Sequence, residues 1–383
     1  MTNAEAPGLR SDVGVFVTAN YSLQPEGGGV QRCTREYLAL LRAAGIALEI
    51  EGYSFDQAPL SRLRRKYFAR PYRDLLPPNL PERVIRRARA TGARWVFINQ
   101  TEAGPIIPAL APLQAEGVRI VLLSHGPDSS DYLHEARIRA EVEGGGKISR
   151  GDAAWLGAQL FAELHHHQPC DLVFCLSEND QNAERWLGAR RVHWLPRTVE
   201  AEPLSWAPIA DRIGTVGTLD HAPNVEGILE FCRTLEAVSP GSLRLRLVGR
   251  PTDAGQRIAD RFPFVDYLGG LNDAEFQAEA ASWCAFINPI FCYARGASTK
   301  LAVPLIWGLP VASTRAGARG FFWDEALVPL ADTPAELVQF ARQLADPARA
   351  ALVRDAILGL VARSPRLADV AASVRERLEQ LLR

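Results

Sequence analysis

The sequence predicts an α/β protein built from two Rossmann-like domains that face one another across a cleft. Short apolar runs alternate with helical patterns from residue 13 onward, which is typical of a parallel sheet made of βαβ units. This alternation occurs in two successive series. The chain of 383 residues is also longer than a single hydrophobic core usually serves, so we expect two domains of ordinary size.

The first series of apolar runs predicts about six strands of one Rossmann-like sheet. A helical pattern near residues 30–44 follows the first run, and each later run is followed by a turn or a helix-start residue. The apolar runs that stand out are residues 13–17, 47–50, 95–98, 120–123 and 172–175.

The second series repeats this plan in the C-terminal half. Its apolar runs are residues 213–216, 243–248, 265–268, 285–288 and 310–313. Residues 195–203 are polar and contain two prolines, which suits a linker, and we place the boundary between domains 1–203 and 204–383. The tail from 367 to 383 has helical spacing with no strand after it, so this last helix is a candidate to cross back to the first domain.

Composition indicates a globular protein without a nucleic-acid partner. The formal net charge is -1, so no general field recruits nucleic acid. The six cysteines form no CxxC pair and are expected to be reduced core residues. With neither a leader pattern nor an apolar run of about 18 residues, a cytoplasmic location is expected.

A basic segment with interleaved aromatic residues runs from Arg62 to Arg73. Such a segment can dock on an anionic membrane, which would make the protein peripheral at the inner membrane face. The alternative is a solvated connection over the first sheet.

Ligands of open α/β sheets bind beyond the carboxyl ends of the strands, so residues that follow strands are the candidates for a site. Gly28 and Gly29 belong to a glycine run that follows the first strand and opens a helix. Glycine allows backbone amides to approach a phosphate, and a helix N-terminus adds about half a positive charge. A plain flexible turn would explain the run equally well.

A second candidate lies after the strand that ends at Asn288. Ser298 and Thr299 can cap the following helix, which places Lys300 in its first turn. A cation is unfavourable there unless an anion is bound, so the pattern favours a phosphate ligand over a solvated lysine.

Several blocks of the C-terminal half, taken in order, resemble the GT-B glycosyltransferases. They read VGTLDHAPNVEGILEF, RLRLVGR, VDYLGGLND and STKLAVPLIWGLPVASTRAGARGF, and the first half adds GGGVQR and DLVFCLSEND. The resemblance spans most of the chain. It implies transfer of a sugar from a nucleoside diphosphate donor to a saccharide, glycolipid or other acceptor, in glycan or polysaccharide biosynthesis. It further implies an N-terminal domain that binds the acceptor and a C-terminal domain that binds the donor.

The resemblance also implies where the donor is held. Lys300 would contact the diphosphate, and the base would lie near the backbone of the VDYLGG block. Arg250 ends a strand and is a further candidate for the diphosphate, although strand-end arginines are as often surface residues. The remaining positions that the resemblance places beside the donor are Gly217, Thr218, Tyr267, Leu268, Ser298 and Thr299.

One departure from the family concerns the mechanism. Retaining members of its largest branch carry two glutamates seven residues apart, and Gly296 and Val303 occupy those positions here. The alternative is an inverting displacement in which a first-domain carboxylate takes the proton of the acceptor.

The loop after the run at 120–123 is the best place for that base. Asp128 lies where the inverting relatives carry their aspartate, allowing a gap of one residue. His125 is the usual family histidine after this strand, and Asp131 and Glu102 are rival carboxylates. Each carboxylate could equally cap a turn.

We expect no metal and no cofactor besides the donor. Adjacent histidines at 165–167 point apart on a helix, so they do not make a metal site. In the family, lysine and helix ends take the place of a cation. A nucleotide-sugar 2-epimerase and a non-catalytic binding or scaffold protein remain the alternatives to a transferase.

Overall fold

The computed structural model describes residues 12–25, 27–60, 63, 72, 75–143 and 146–383, with backbone only for 141–143. Within these residues the chain forms two separate sheets whose neighbouring strands are all parallel. Helices follow most of the strands, so the α/β class predicted from the sequence is confirmed.

The first sheet has the strand order β2-β1-β3-β4-β5-β6. Val15, Phe16 and Val17 of β1 are fully buried, because helices cover both faces of a parallel sheet. The strands are β1 Asp12–Ala19, β2 Ile46–Tyr53, β3 Trp95–Asn99, β4 Arg119–Leu123, β5 Leu172–Cys175 and β6 Val192–Trp194.

The connections of the first sheet are mostly helical, with 3-10 helices at Asn20–Leu23 and Thr101–Leu110. Two helices start at a serine whose hydroxyl accepts from a backbone N–H: Ser149 from Asp152 and Ser177 from Asp180. The α-helices are α1 Gly29–Ala43, α2 Leu80–Thr91, α3 Ala111–Ala115, α4 Asp128–Glu143, α5 Arg150–His167 and α6 Glu178–Trp186.

The second sheet has the order β11-β10-β7-β8-β9. The chain proceeds outward from β7 in one direction and from β10 in the other, so the strand order reverses between these two strands. Ligands of doubly wound sheets bind outside the carboxyl ends of the strands at such a point. The strands are β7 Arg212–Thr218, β8 Arg244–Arg250, β9 Val265–Gly269, β10 Ala285–Asn288 and β11 Val311–Ser313.

Two glycines allow β7 and β8 to approach closely at their carboxyl ends. Gly217 pairs with Gly249 in the parallel register, and a Cβ on Gly249 would collide with the carbonyl oxygen of Gly217. Glycine at 249 therefore shapes the edge of the sheet where a ligand would bind.

The helix after β7 has the buried face that its spacing predicted. Ile228, Cys232 and Leu235 are fully buried in one hydrophobic core, and Leu229 packs against it. Reciprocal capping boxes start two other helices, at Asn272 and Thr333. The helices are α7 Ala222–Ala237, α8 Thr252–Arg261, α9 Asp273–Ala280, α10 Thr299–Ile306, α11 Arg315–Ala318, α12 Pro334–Leu344, α13 Pro347–Arg363 and α14 Leu367–Gln380.

Contacts divide the chain into two compact units. The first unit holds the residues up to Ser129, Ser149–Leu195 and Leu367–Arg383, and the second holds Ser130–Ile148 and Pro196–Arg366. The division falls at Leu195 rather than near 203, because Val199 and Leu204 are buried in a core of the second unit.

The last helix, α14, belongs to the first unit. Arg375 forms an ion pair with Asp12 of β1 at 2.8 Å, and Ser373 Oγ lies 2.9 Å from Nε2 of His193 in β6. These contacts tie the C-terminal helix to the amino-terminal sheet.

Across the described residues, the structure has no helix whose length and apolar character would let it cross a bilayer. The basic segment from Arg62 to Arg73, which the sequence suggests for membrane contact, lies outside the described residues except for Leu63 and Tyr72. That contact stays a prediction.

Candidate functional site

Lys300 lies at the carboxyl edge of the second sheet, in the first turn of α10. Its Nζ donates to Oδ1 of Asn224 at 3.0 Å, and Nδ2 of Asn224 donates to the carbonyl oxygen of Thr218 at 3.1 Å. Thr218 ends β7 and Asn224 lies in the first turn of α7. The asparagine therefore joins three elements at the point where the strand order reverses.

The surroundings of Lys300 oppose its positive charge. Burial, and after it the charge of Arg319, lowers the pKa of Lys300 to about 7. The pKa of His221 is lowered as well, first by burial and then by Lys300 and Arg319. Three basic groups thus converge on one place, and an anion bound there would stabilise the charged amine.

The cap of α10 differs in detail from the sequence interpretation. Ser298 occupies the N-cap position, but among the described residues none of the first-turn amides donates to its side chain. Instead Nδ2 of Asn288, at the end of β10, lies 3.4 Å from Oγ of Ser298. The helix begins at Thr299. Because the hydroxyl of Ser298 does not accept a hydrogen bond from the N–H groups of the first turn, no side-chain cap occupies these groups.

The other residues predicted to bind the donor lie at or near the carboxyl ends of β7, β8 and β9. Thr218 ends β7 and is linked to the lysine through Asn224, and Gly217 lies next to it, where a Cβ would contact the Asn224 side chain. Arg250 ends the neighbouring strand, is exposed, and its side chain packs over Gly270.

Tyr267 and Leu268 lie on β9, two strands away from β7. The hydroxyl of Tyr267 donates to the carbonyl oxygen of Gly249 at 2.9 Å, and its ring packs on Gly255. Leu268 packs against a hydrophobic core. The structure therefore brings Gly217, Thr218 and Lys300 together, whereas the side chain of Tyr267 packs within its own domain.

Gly296 and Val303 occupy the two positions at which the sequence resemblance would place glutamates. Gly296 has a φ of 62°, a left-handed conformation that glycine adopts readily and other residues rarely. Val303 lies within α10. Neither side chain supplies a carboxylate.

In the first unit, His125 follows β4 and is buried. Its Nε2 lies 3.0 Å from Oδ1 of Asn99. The amide nitrogen of Asn99 donates to the hydroxyls of Thr18 and Thr34, at 2.9 and 3.0 Å. Because the oxygen of Asn99 faces the imidazole, Nε2 is the nitrogen that carries the proton.

Two buried carboxylates hold the loop that carries His125 and Asp128. At one end Ser124 donates to Glu184, and the same hydroxyl accepts from the N–H of Gly126 at 2.9 Å. At the other end Glu163 accepts from the N–H and the hydroxyl of Ser129, at 2.9 and 2.5 Å. The loop is therefore fixed on both sides.

His167 joins this arrangement from α5. Its Nδ1 lies 2.8 Å from Oε2 of Glu184, and both side chains are fully buried. Burial opposes the charge on the imidazole, yet the adjacent Glu184 carboxylate leaves the pKa of His167 raised. Burial also raises the pKa of Glu163, against the hydrogen bonds from Ser129. The sequence interpretation missed Glu163 and Glu184. Each could have been noticed as a charged residue on the apolar face of a predicted helix.

The three candidate carboxylates differ in their partners. Asp131 Oδ2 lies 2.6 Å from Nε of Arg295, so this carboxylate is committed to an ion pair. Glu102 lies 3.1 Å from the hydroxyl of Tyr21, whose pKa burial and then Glu102 raise to about 12. Asp128 begins α4, is half-buried and also interacts with another group of the protein.

The glycine run occurs at the start of α1, with Gly28 at the N-cap and Gly29 as the first helical residue. A Cβ on Gly28 would meet no described atom within 4 Å, so packing does not require glycine there. The role of both residues in donor binding stays a prediction.

No group of three or more His, Cys, Asp or Glu side chains with the proximity of metal ligands occurs in the described part of the chain. In the histidine run, His165 is exposed, whereas His166 and His167 are buried.

Comparisons with known proteins show similarity in structure and not in sequence. No family model and no curated protein matches the sequence. A sucrose-phosphate synthase from Thermosynechococcus elongatus superposes with a TM-score of 0.65 at 14% identity, over 97% of this chain and 99% of that chain. The lipopolysaccharide outer core galactosyltransferase WaaB gives 0.61 at 12% identity, over 96% and 99%.

An alpha,alpha-trehalose 6-phosphate synthase from Burkholderia multivorans gives a TM-score of 0.57 at 14% identity, over 97% of this chain and 98% of that chain. Identities this low show the fold alone. The fold prediction made from the sequence blocks is confirmed: the chain has the GT-B fold, with two parallel Rossmann-like sheets.

Proposed function

We propose that the protein is a glycosyltransferase that moves a sugar from a nucleoside diphosphate donor to a hydroxyl group of a saccharide, glycolipid or other acceptor. The observation that carries this proposal is the position of Lys300. An amine with a pKa lowered to about 7 lies in the first turn of a helix, at the switch point of a doubly wound sheet. A diphosphate is the ligand that such a place suits best.

The proposed chemistry uses this site to stabilise the leaving group. When the bond between sugar and diphosphate breaks, negative charge develops on the diphosphate, and Lys300 with the α10 amides would neutralise it. The reaction would then need no metal. Arg319 adds further positive potential, since its charge already acts on the lysine.

Asp128 is the proposed base that takes the proton of the acceptor hydroxyl. The ion pair with Arg295 makes Asp131 a weaker candidate, because a carboxylate held by a guanidinium binds a proton less well. His125 has its Nε2 proton directed at Asn99 and would assist by orientation. With Gly296 and Val303 in the glutamate positions, an inverting displacement is the proposed course.

A titration tests the donor site directly. Purified protein is titrated calorimetrically with UDP, GDP, dTDP and their common sugars, without metal, alongside Lys300→Ala and the exposed-lysine control Lys147→Ala. Micromolar binding of one nucleotide, weakened about tenfold or more only by Lys300→Ala, supports the proposal; tenfold corresponds to about 1.4 kcal/mol. Binding of none of these ligands by the wild type would remove its main support.

Replacement of the family glutamates also favours a second candidate, a non-catalytic nucleotide-sugar-binding or scaffold protein. It would bind the donor and release it unchanged in the presence of any acceptor. A nucleotide-sugar 2-epimerase would instead convert the donor sugar without an acceptor, which chromatography of the incubated donor detects.

A further inference from the structure

The second unit contains a cavity of about 550 Å³ between α4 and the loop that follows β10. Its size lies in the range of small-molecule sites and exceeds what one hexose ring fills. The lining residues are Ser130, Leu133, His134, Arg137, Ile138, Glu226, Phe291, Cys292 and Tyr293.

The lining mixes aromatic and aliphatic side chains with polar groups. Phe291, Tyr293 and Leu133 offer surfaces for the C–H faces of a sugar ring, and Ser130 and His134 are polar residues of the lining, His134 with a hydrogen bond to the backbone of Tyr293. Burial, and then the charge of Arg137, lowers the pKa of His134, which favours the neutral imidazole. A saccharide is the ligand that this combination suits.

The cavity shares two elements with the proposed diphosphate site: the segment between β10 and α10, which supplies Cys292, and α7, which carries both Glu226 of the lining and Asn224, the partner of Lys300. Cys292 lines the cavity, and burial and then Glu226 raise its pKa to about 11. Arg319 acts electrostatically on both Cys292 and Lys300. A sugar in the cavity would therefore lie beside the group that Lys300 is proposed to hold.

Arg137 distinguishes this cavity from a neutral sugar site. Its guanidinium is exposed at the cavity and makes neither a hydrogen bond nor an ion pair within the described residues. Arg139, two residues further along α4, instead pairs with Glu135 at 3.9 Å and lies over the ring of Tyr132. Glu226 is the carboxylate of the lining, and it interacts with another group of the protein. The cation of Arg137 is thus left for a ligand.

We propose that this cavity binds a sugar residue that carries a phosphate or carboxylate group, with Arg137 as the residue that recognises the anion. The proposal rests on the glycosyltransferase function proposed above and specifies a substrate class for it. The anionic sugar is either the acceptor or the sugar of the donor, and the experiment separates the two sources.

Binding is measured with glucose 6-phosphate, glucuronate and glucose as probes, each with and without UDP, and with UDP-glucuronate against UDP-glucose. The variants are Arg137→Gln and, as matched control on the same helix, Arg139→Gln. We expect at least one anionic probe to bind about tenfold or more tightly than its neutral counterpart. Arg137→Gln should abolish that preference, because a charge-assisted bidentate contact is lost, and Arg139→Gln should retain it.

Glu226→Gln provides a variant of opposite sign. Removing a carboxylate from the cavity reduces repulsion of an anion, so the affinity for the preferred anionic probe should rise or stay equal. A preference among the free sugars identifies the acceptor as the anionic partner, and a preference confined to UDP-glucuronate identifies the donor.

Equal binding of anionic and neutral probes, or a preference that survives Arg137→Gln, would overturn the inference. That result differs from failure of the proposed function, which appears as absence of nucleotide binding in the Lys300 titration. Because binding is measured rather than turnover, neither result depends on the identity of the base.

Discussion

Lys300 donates a hydrogen bond to Asn224, and the same asparagine donates to the carbonyl oxygen of Thr218. The amine is thereby fixed relative to the end of β7 before any ligand binds. A long lysine side chain otherwise has many rotamers, so this restraint lowers the entropy that is lost when an anion is held. Asn224 is therefore a positioning residue for the proposed donor site.

Two substitutions of Asn224 should weaken nucleotide binding, each for a different reason. Asn224→Ala removes the restraint on the amine, and we expect the dissociation constant of the preferred nucleotide to rise about threefold to tenfold. Asn224→Asp places a carboxylate beside Lys300 that competes with the phosphate, so the loss should be greater. Calorimetry of both variants, with substitution of the exposed Asn182 by alanine as control, measures the dissociation constants. Tighter nucleotide binding by Asn224→Asp than by Asn224→Ala would contradict the prediction.

Donor binding should take up a proton above neutral pH. The pKa of Lys300 is about 7 in the free protein, and a bound diphosphate raises it, since an anion favours the charged amine. Below pH 7 the amine is charged in both states and no proton is exchanged. As pH rises through 7, binding requires protonation and affinity falls.

A nucleotide-sugar is the suitable probe for this proton, because its diphosphate does not titrate near neutrality. Calorimetry at pH 8 in buffers of different ionisation enthalpy should report uptake of most of one proton, and the contribution of Lys300 to the uptake at pH 5.5 should be almost none. Lys300→Met should abolish the uptake, whereas Lys147→Met should leave it.

Lys300→Met should stabilise the free protein at neutral pH. The pKa of this amine is about 7 when folded and about 10.4 in an unfolded chain, so charging it costs the folded state free energy at every pH below 7. That cost declines as pH rises from 7 and is absent above about 10.4. We expect a gain of about 0.5–2 kcal/mol at pH 7 that vanishes near pH 10.5.

Melting curves of the nucleotide-free variants measure this gain, with Lys147→Met as control. A methionine variant that melts below the wild type at pH 7 would show that the lysine contributes packing or hydrogen bonding greater than the cost of its charge.

Glu163 should be a determinant of stability for the loop that carries Asp128. Glu163→Ala leaves the N–H and hydroxyl of Ser129 and the hydroxyl of Tyr72 without their buried acceptor, and we expect a loss of about 3 kcal/mol or more. Glu163→Gln keeps an amide oxygen, and Tyr72→Phe removes a single donor, so each should lose about 1 kcal/mol. Urea denaturation ranks the three variants, and an equal loss in all would contradict the assignment.

Asp128→Asn tests the proposed base once a donor and an acceptor are known. A general base contributes about 10²–10⁴ in rate, so turnover should fall by that factor while nucleotide binding is unchanged. Asp131→Asn, which breaks the ion pair with Arg295, is the comparison. A loss of that size with Asp131→Asn and not with Asp128→Asn would transfer the role.

The two sheets were predictable because burial on both faces leaves a continuous apolar run in the sequence. The runs near β1, β4 and β5 are of this kind, and Phe16, Leu122 and Val173 within them are fully buried. The three- and four-residue spacing of α7 was equally direct. Lys300 was found by the same local reasoning, since a cation in the first turn of a helix conflicts with the helix dipole.

The partners of these residues were not predictable in the same way. Nothing near Lys300 in the sequence names Asn224, which is 76 positions away, and the ion pair of Asp131 with Arg295 joins still more distant segments. Glu163 and Glu184 could have been noticed as charges on apolar helix faces, but their acceptor roles depend on where Ser124 and Ser129 lie in space.

By itself the sequence determined the class of fold, the two series of strands and the lysine at a helix start, because each follows from the spacing of apolar residues or from a local conflict of charge. Only the tertiary structure decided which side chains meet: Asn224 with Lys300, Glu163 with Ser129, and Arg137 at a cavity without an ion-pair partner among the described residues. Hydrogen bonds and charge pairs act over a few ångströms in space, and the separation of residues along the chain does not encode that distance.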